Sequence, residues 1–96
     1  EIWNPPVHAD EPMLITLIRG KLAKGERVAR YYRSGNTVKP TWITDLRYDK
    51  ETDEWIARTI KNRNTDYMRL GGDTMDAQYE LIPGKTKNTW ELRRST

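Results

Sequence analysis

Hydrophobic and polar positions alternate with a period of two over much of this chain, most plainly between residues 41 and 60. Trp42, Thr44, Leu46 and Tyr48 alternate with Ile43, Asp45 and Arg47, and Trp55, Ala57 and Thr59 alternate with Ile56, Arg58 and Ile60. Side chains change face at each step along a strand, so this pattern predicts two strands. Residues 49–53 between them are polar, and their side-chain oxygens can bond their own backbone, which makes the pair a β-hairpin. A second hairpin is predicted where residues 79–82 run into Pro83 and Gly84 and return through residues 89–94, with Trp90 and Leu92 on one face. Residues 66–70 predict a short strand stopped by Gly71 and Gly72, and residues 74–78 one helical turn.

The first third of the chain is less periodic. Residues 1–12 hold three of the five prolines, and the Pro5–Pro6 pair forces extended geometry, which predicts an arm. Residues 13–19 are short and β-rich and predict a strand punctuated by Gly20 and Gly25. A helix over residues 13–32 is the alternative, because Leu14, Ile18, Leu22, Val28 and Tyr32 nearly follow its period. Two interior glycines would oppose that helix by about 1 kcal/mol each. Six or seven short strands at spacings of roughly ten residues predict an all-β domain over residues 13–96. At this length the expected architecture is a small antiparallel barrel with Trp42, Leu46, Trp55, Trp90 and Leu92 in its core.

The stretch from Leu22 to Tyr31, with Gly25 before the charged pair Glu26–Arg27 and Tyr31 after it, resembles the entry strand of SH3-like barrels of the Tudor and KOW kind. Trp55, Ala57 and Ile60 resemble the second strand of the same barrels, which reads aromatic, then Ala, then aliphatic. The resemblance covers about half the chain. It implies a barrel that binds nucleic acids, methylated side chains or other proteins.

Composition supports a folded core. Leu, Ile and Val number only 17 and Phe is absent, but four Trp, five Tyr and three Met supply bulk, and the net charge is only +3. The absence of cysteine excludes disulfides and thiolate zinc sites and fits a reducing, intracellular compartment. No apolar run approaches the ~20 residues of a membrane-spanning helix.

Charge changes the picture more by its distribution than by its total. From Ile18 to Arg47 eight Lys or Arg stand against two acids, and from Asp49 to Glu54 four acids stand against one Lys. Arg19, Lys21, Lys24, Arg27, Arg30, Arg33, Lys39 and Arg47, with Tyr31 and Tyr32 interleaved, combine phosphate-pairing cations with flat rings. That chemistry predicts a non-enzymatic surface for DNA or RNA backbone. The competing expectation is a protein-interaction module working through the arm or a sheet edge, or a methyl-lysine reader built from Tyr48, Trp55 and the acidic turn.

Catalytic chemistry is poorly supplied. The single histidine, His8, lies in the proline-rich arm, so no nucleophile and base pair is recognisable. The acids at 49, 51, 53 and 54 superficially follow a calcium loop, but Glu54 stands where the sharp-turn glycine is required. Neither a metal nor an organic cofactor is expected.

Overall fold

The structure is a computed structural model that describes residues 11–95. Almost all of the predicted arm, residues 1–10, lies outside the described residues. The described chain runs α1 (Met13–Ala23), β1 (Arg27–Ser34), β2 (Thr37–Asp49), β3 (Glu54–Lys61), β4 (Asn64–Gly71), α2 (Met75–Gln78), β5 (Tyr79–Pro83) and β6 (Thr89–Arg94). Strand dominates, in keeping with the predicted β class. The six strands form one sheet in the order β4-β3-β2-β1-β6-β5. This corrects the expected barrel: the sheet is not closed, and β4 and β5 are its two edges. Nor is it wholly antiparallel, since β1 and β6 run parallel, with Val28 beside Trp90.

Residues 13–23 form a helix rather than the expected strand. Leu14, Ile15 and Ile18 are buried, with Leu22 packed against the same cluster, so one face meets the sheet at helical spacing. The helix stops at Gly25, whose φ of +80° suits glycine. There the Gly25 and Glu26 amides donate to the carbonyls of Leu22 and Lys21 at 3.0 Å each, closing a Schellman motif. Gly25 is thus a helix stop, not a strand opener. The other end has no local cap, since Pro12 occupies that position. Instead the Asp76 carboxylate accepts hydrogen bonds from the Met13 and Leu14 amides at 2.9 and 2.8 Å. A carboxylate there meets the positive end of the helix dipole.

Both helices cover one face of the sheet, the helix face. Val28, Ile43, Leu46, Trp55, Ala57, Leu70 and Leu92 point into the core on that side, with Met75 and Tyr79 closing it. The opposite, outer face has no described element over it. Trp42 belongs to that outer face and not to the core where it was expected. A β-bulge between Ile43 and Asp45 inserts Thr44, so Ile43 and Leu46 share the helix face although they are three residues apart. The alternation therefore changes phase inside β2, and Trp42 and Leu46 end on opposite sides. Trp90 is half-buried at the rim of the core, while Leu46, Trp55 and Leu92 are inside it as expected.

Candidate nucleic-acid interface

The strand period distributes the basic segment over both sides of the sheet. On β1, Arg30 and Tyr32 share the helix face with Val28, whereas Arg27, Tyr31 and Arg33 share the outer face with Ala29. Lys39 stands opposite Tyr32 and joins the helix face; Arg47, opposite Ile56, joins the outer one. Arg19, Lys21 and Lys24 are on α1 or at its C-terminus.

Partners separate these cations further. Arg19 pairs with Glu11 and lies over the Trp55 ring at 5.3 Å. Lys21 sits 3.7 Å from the centre of the Trp90 ring, whose indole N–H donates to Glu26 at 2.6 Å. Arg27 lies 3.8 Å from the centre of Trp42. On the outer face Arg58, Arg69 and Arg93 are matched by Asp45, Glu54 and Glu80 at 4.0, 2.9 and 2.8 Å. Lys24 and Arg33 are exposed, and neither forms an ion pair among the described residues.

One group of cations is brought together on the helix face, bordered on β4 by Asp66 opposite Thr59. Where β1 and β2 run past the helices, Arg30, Lys39, Lys61 and Arg94 all occupy the helix face around Tyr32 and Tyr79. The guanidinium carbons of Arg30 and Arg94 each lie 5.2 Å from the centre of the Tyr79 ring. Arg94 also donates to the Tyr79 hydroxyl at 2.9 Å. The Lys61 ammonium sits 4.0 Å from the centre of the half-buried Tyr32 ring. None of these four cations forms an ion pair among the described residues. Four like charges in one bay repel one another, and the tyrosine ring faces offset that only in part. An anion entering the bay relieves this repulsion.

The sequence pattern points to Arg30, Tyr32 and Lys39 directly and to Lys61 and Arg94 only as basic residues able to extend the track; it does not single out Tyr79. Lys61 arrives through the β2–β3 register, in which Trp42 stands opposite Ile60. Arg94 and Tyr79 arrive through the β5–β6 hairpin, which the parallel β1–β6 pair carries alongside. A cation-rich terminal strand next to a tyrosine was visible in the sequence; its docking beside β1 was not.

The acidic turn sits at the far end of β2 from the bay and is internally organised. The Asp49 carboxylate accepts from the Thr52 hydroxyl at 2.9 Å and the Glu51 amide at 3.1 Å, with Arg69 at 3.6 Å. These contacts, the Thr52 hydroxyl foremost, hold its carboxyl below the usual range. Asp53 accepts from the Tyr48 hydroxyl, which pushes that phenol above its ordinary value. Trp55 is only 1 % exposed, so a methyl-lysine cage using its ring would have to open the core. Among the described residues no group of three or more His, Cys, Asp or Glu is placed to hold a metal. No described helix is long and apolar enough to cross a membrane. No protein-family model, curated protein or solved structure matches the chain.

Proposed function

We propose that this protein is a non-enzymatic module that binds the backbone of DNA or RNA through the bay of Arg30, Lys39, Lys61 and Arg94. The observation that carries the reading is the convergence of four cations from four strands with no acid among the described residues paired to them. Arg guanidinium groups recognise phosphate oxygens in pairs, and Arg30 and Arg94 flank one ring from which both can reach an anion. Tyr32 offers a ring for a base or sugar once Lys61 turns to a phosphate. Arg33 and Arg63, at the adjoining hairpin turns, extend the positive field around the rim. Phosphate contacts of this kind position a nucleic acid without reading its sequence.

Fluorescence anisotropy with a labelled mixed-sequence oligonucleotide, single-stranded and duplex, tests the reading. With four phosphate contacts, the log–log dependence of affinity on salt has a slope of about −3 to −4. Arg30→Glu combined with Arg94→Glu abolishes binding and leaves the circular dichroism unchanged. Arg58→Glu, on the outer face, serves as the control and changes affinity little. Binding that is indifferent to salt or to the Arg30/Arg94 pair sinks the proposal.

A further inference from the structure

The cationic bay has a centre as well as a rim. Thr41 stands opposite Arg30 across the β1–β2 pair, and the pairing of Trp42 with Ile60 brings Lys61, the next residue of β3, alongside Thr41 from the other side. A short side chain therefore separates two long cationic ones. Adjacent strands lie about 4.8 Å apart, so β1 and β3 are about 10 Å apart at this level. The Lys61 side chain crosses that gap, above Thr41, to set its ammonium 4.0 Å from the centre of the Tyr32 ring. Tyr32 is half-buried, and what caps its ring is the end of an exposed, flexible side chain. The cations divide into two pairs about this gap. Arg30 and Arg94 gather at Tyr79, while Lys39, directly opposite Tyr32, joins Lys61 on the other side. Beyond Lys61 the positive charge stops: Asn64 faces it on β4, and Asp66 follows on the same face.

We propose that the bay selects single-stranded nucleic acid by stacking one unpaired base on the Tyr32 ring, a refinement that rests on the backbone-binding reading above. The base enters over Thr41, in the space that the Lys61 stem now crosses, and Lys61 turns to a phosphate. Stacked rings lie about 3.4 Å apart, so the gap admits one base against Tyr32. The phosphates on either side of that nucleotide then meet the Arg30–Arg94 pair and the Lys39–Lys61 pair. A base in a duplex cannot take this place without leaving its partner, since its faces are already stacked and its edge is paired. The width of the bay acts in the same direction. The second backbone of a duplex, reaching across the sheet beyond Lys61, meets Asn64 and Asp66 on this face of β4 and no cation.

Three unlabelled probes of equal length, each displacing a labelled single strand in an anisotropy competition, test this on the unaltered protein. They are a mixed-sequence single strand, its duplex, and an abasic strand that keeps the sugar–phosphate backbone without bases. The single strand is expected to bind tightest, although the duplex carries the denser charge. Duplex and abasic strand should each be about tenfold weaker, the worth of one stacked base. Tyr32→Leu keeps apolar bulk without an aromatic face. It should lose about tenfold on the single strand and then bind native and abasic strands alike, whereas Tyr32→Phe keeps the wild-type preference. The comparison of probes needs no variant, so the test survives if Tyr32→Leu misfolds. An abasic strand that binds as well as the native one overturns the proposal, as does a duplex of equal or higher affinity. So does a folded Tyr32→Leu variant that still prefers bases. If binding in those cases stays steeply salt-dependent and sensitive to Arg30→Glu with Arg94→Glu, the backbone reading stands and only the base contact falls. Loss of both dependences, or no binding to any probe, removes the two readings together.

Discussion

Arg63 holds a φ of +70° directly after Asn62 at +51°, which makes the β3–β4 connection a two-residue turn with both central residues left-handed. Asparagine tolerates that geometry; arginine does so at a cost, and glycine is the usual second residue. Arg63→Gly is therefore expected to stabilise the domain by about 1 kcal/mol. A chain of this size should then melt about 4–8 °C higher by circular dichroism. Asp76 predicts the opposite sign, because it receives two amides at the start of α1. Asp76→Ala should cost about 1–2 kcal/mol in chemical unfolding, and Asp76→Asn less. Two residues near the acidic turn give pH signatures. The Asp49 carboxyl is lowered by Thr52, Glu51 and Arg69, so its contribution is present above the unfolded value of about 3.9 and lost as pH falls through the lower folded value. The Tyr48 phenol is raised by Asp53, so its contribution is present below about 10 and lost as pH rises through the higher folded value. Asp53→Asn should bring the Tyr48 titration, followed by absorbance, back toward an ordinary tyrosine. At this scale the sequence was informative where chemistry is local: the Asp49–Thr52 turn could be read from its residue types. The Asp76 cap could not, because it joins groups 62 residues apart.

Elements were legible where periodicity was unbroken. The β2–β3 and β5–β6 hairpins and the turn of helix at α2 follow the predicted positions. The single phase change in β2 was invisible, because a bulge adds a residue without leaving a composition signal; Thr44 is as good a strand residue as its neighbours. Its effect can be measured by comparing two tryptophans. Trp55→Ala, in the core, should cost about 3–5 kcal/mol, whereas Trp42→Ala, half-buried on the outer face beneath Arg27, should cost well under half as much. Equal losses would return Trp42 to the interior. Helix α1 was obscured for a different reason. Leu14 to Ile18 is β-rich by composition and Gly20 opposes a helix, yet burial of Leu14, Ile15 and Ile18 against the sheet outweighs local preference.

At the scale of the whole molecule, charge is segregated along the length of β2. The acidic turn between β2 and β3 lies at one end of β2, and the bay of Arg30, Lys39, Lys61 and Arg94 lies near the other. The sequence showed this segregation as a change in charge density, but the strand period then divided the basic run between two faces. Only tertiary pairing decided which cations meet. Strand order has a further consequence, for the time at which the protein becomes a protein. β6 is laid between β1 and β5, so one of the first strands to be synthesised waits for the last described one, with roughly sixty intervening residues already made. Until residues 89–94 leave the ribosome, β1 presents a bare edge, and Arg94, one of the bay's four cations, does not yet exist. A nascent chain halted before Thr89 is expected to be sticky and protease-sensitive, and to recover both solubility and anion affinity in one step when β6 is supplied.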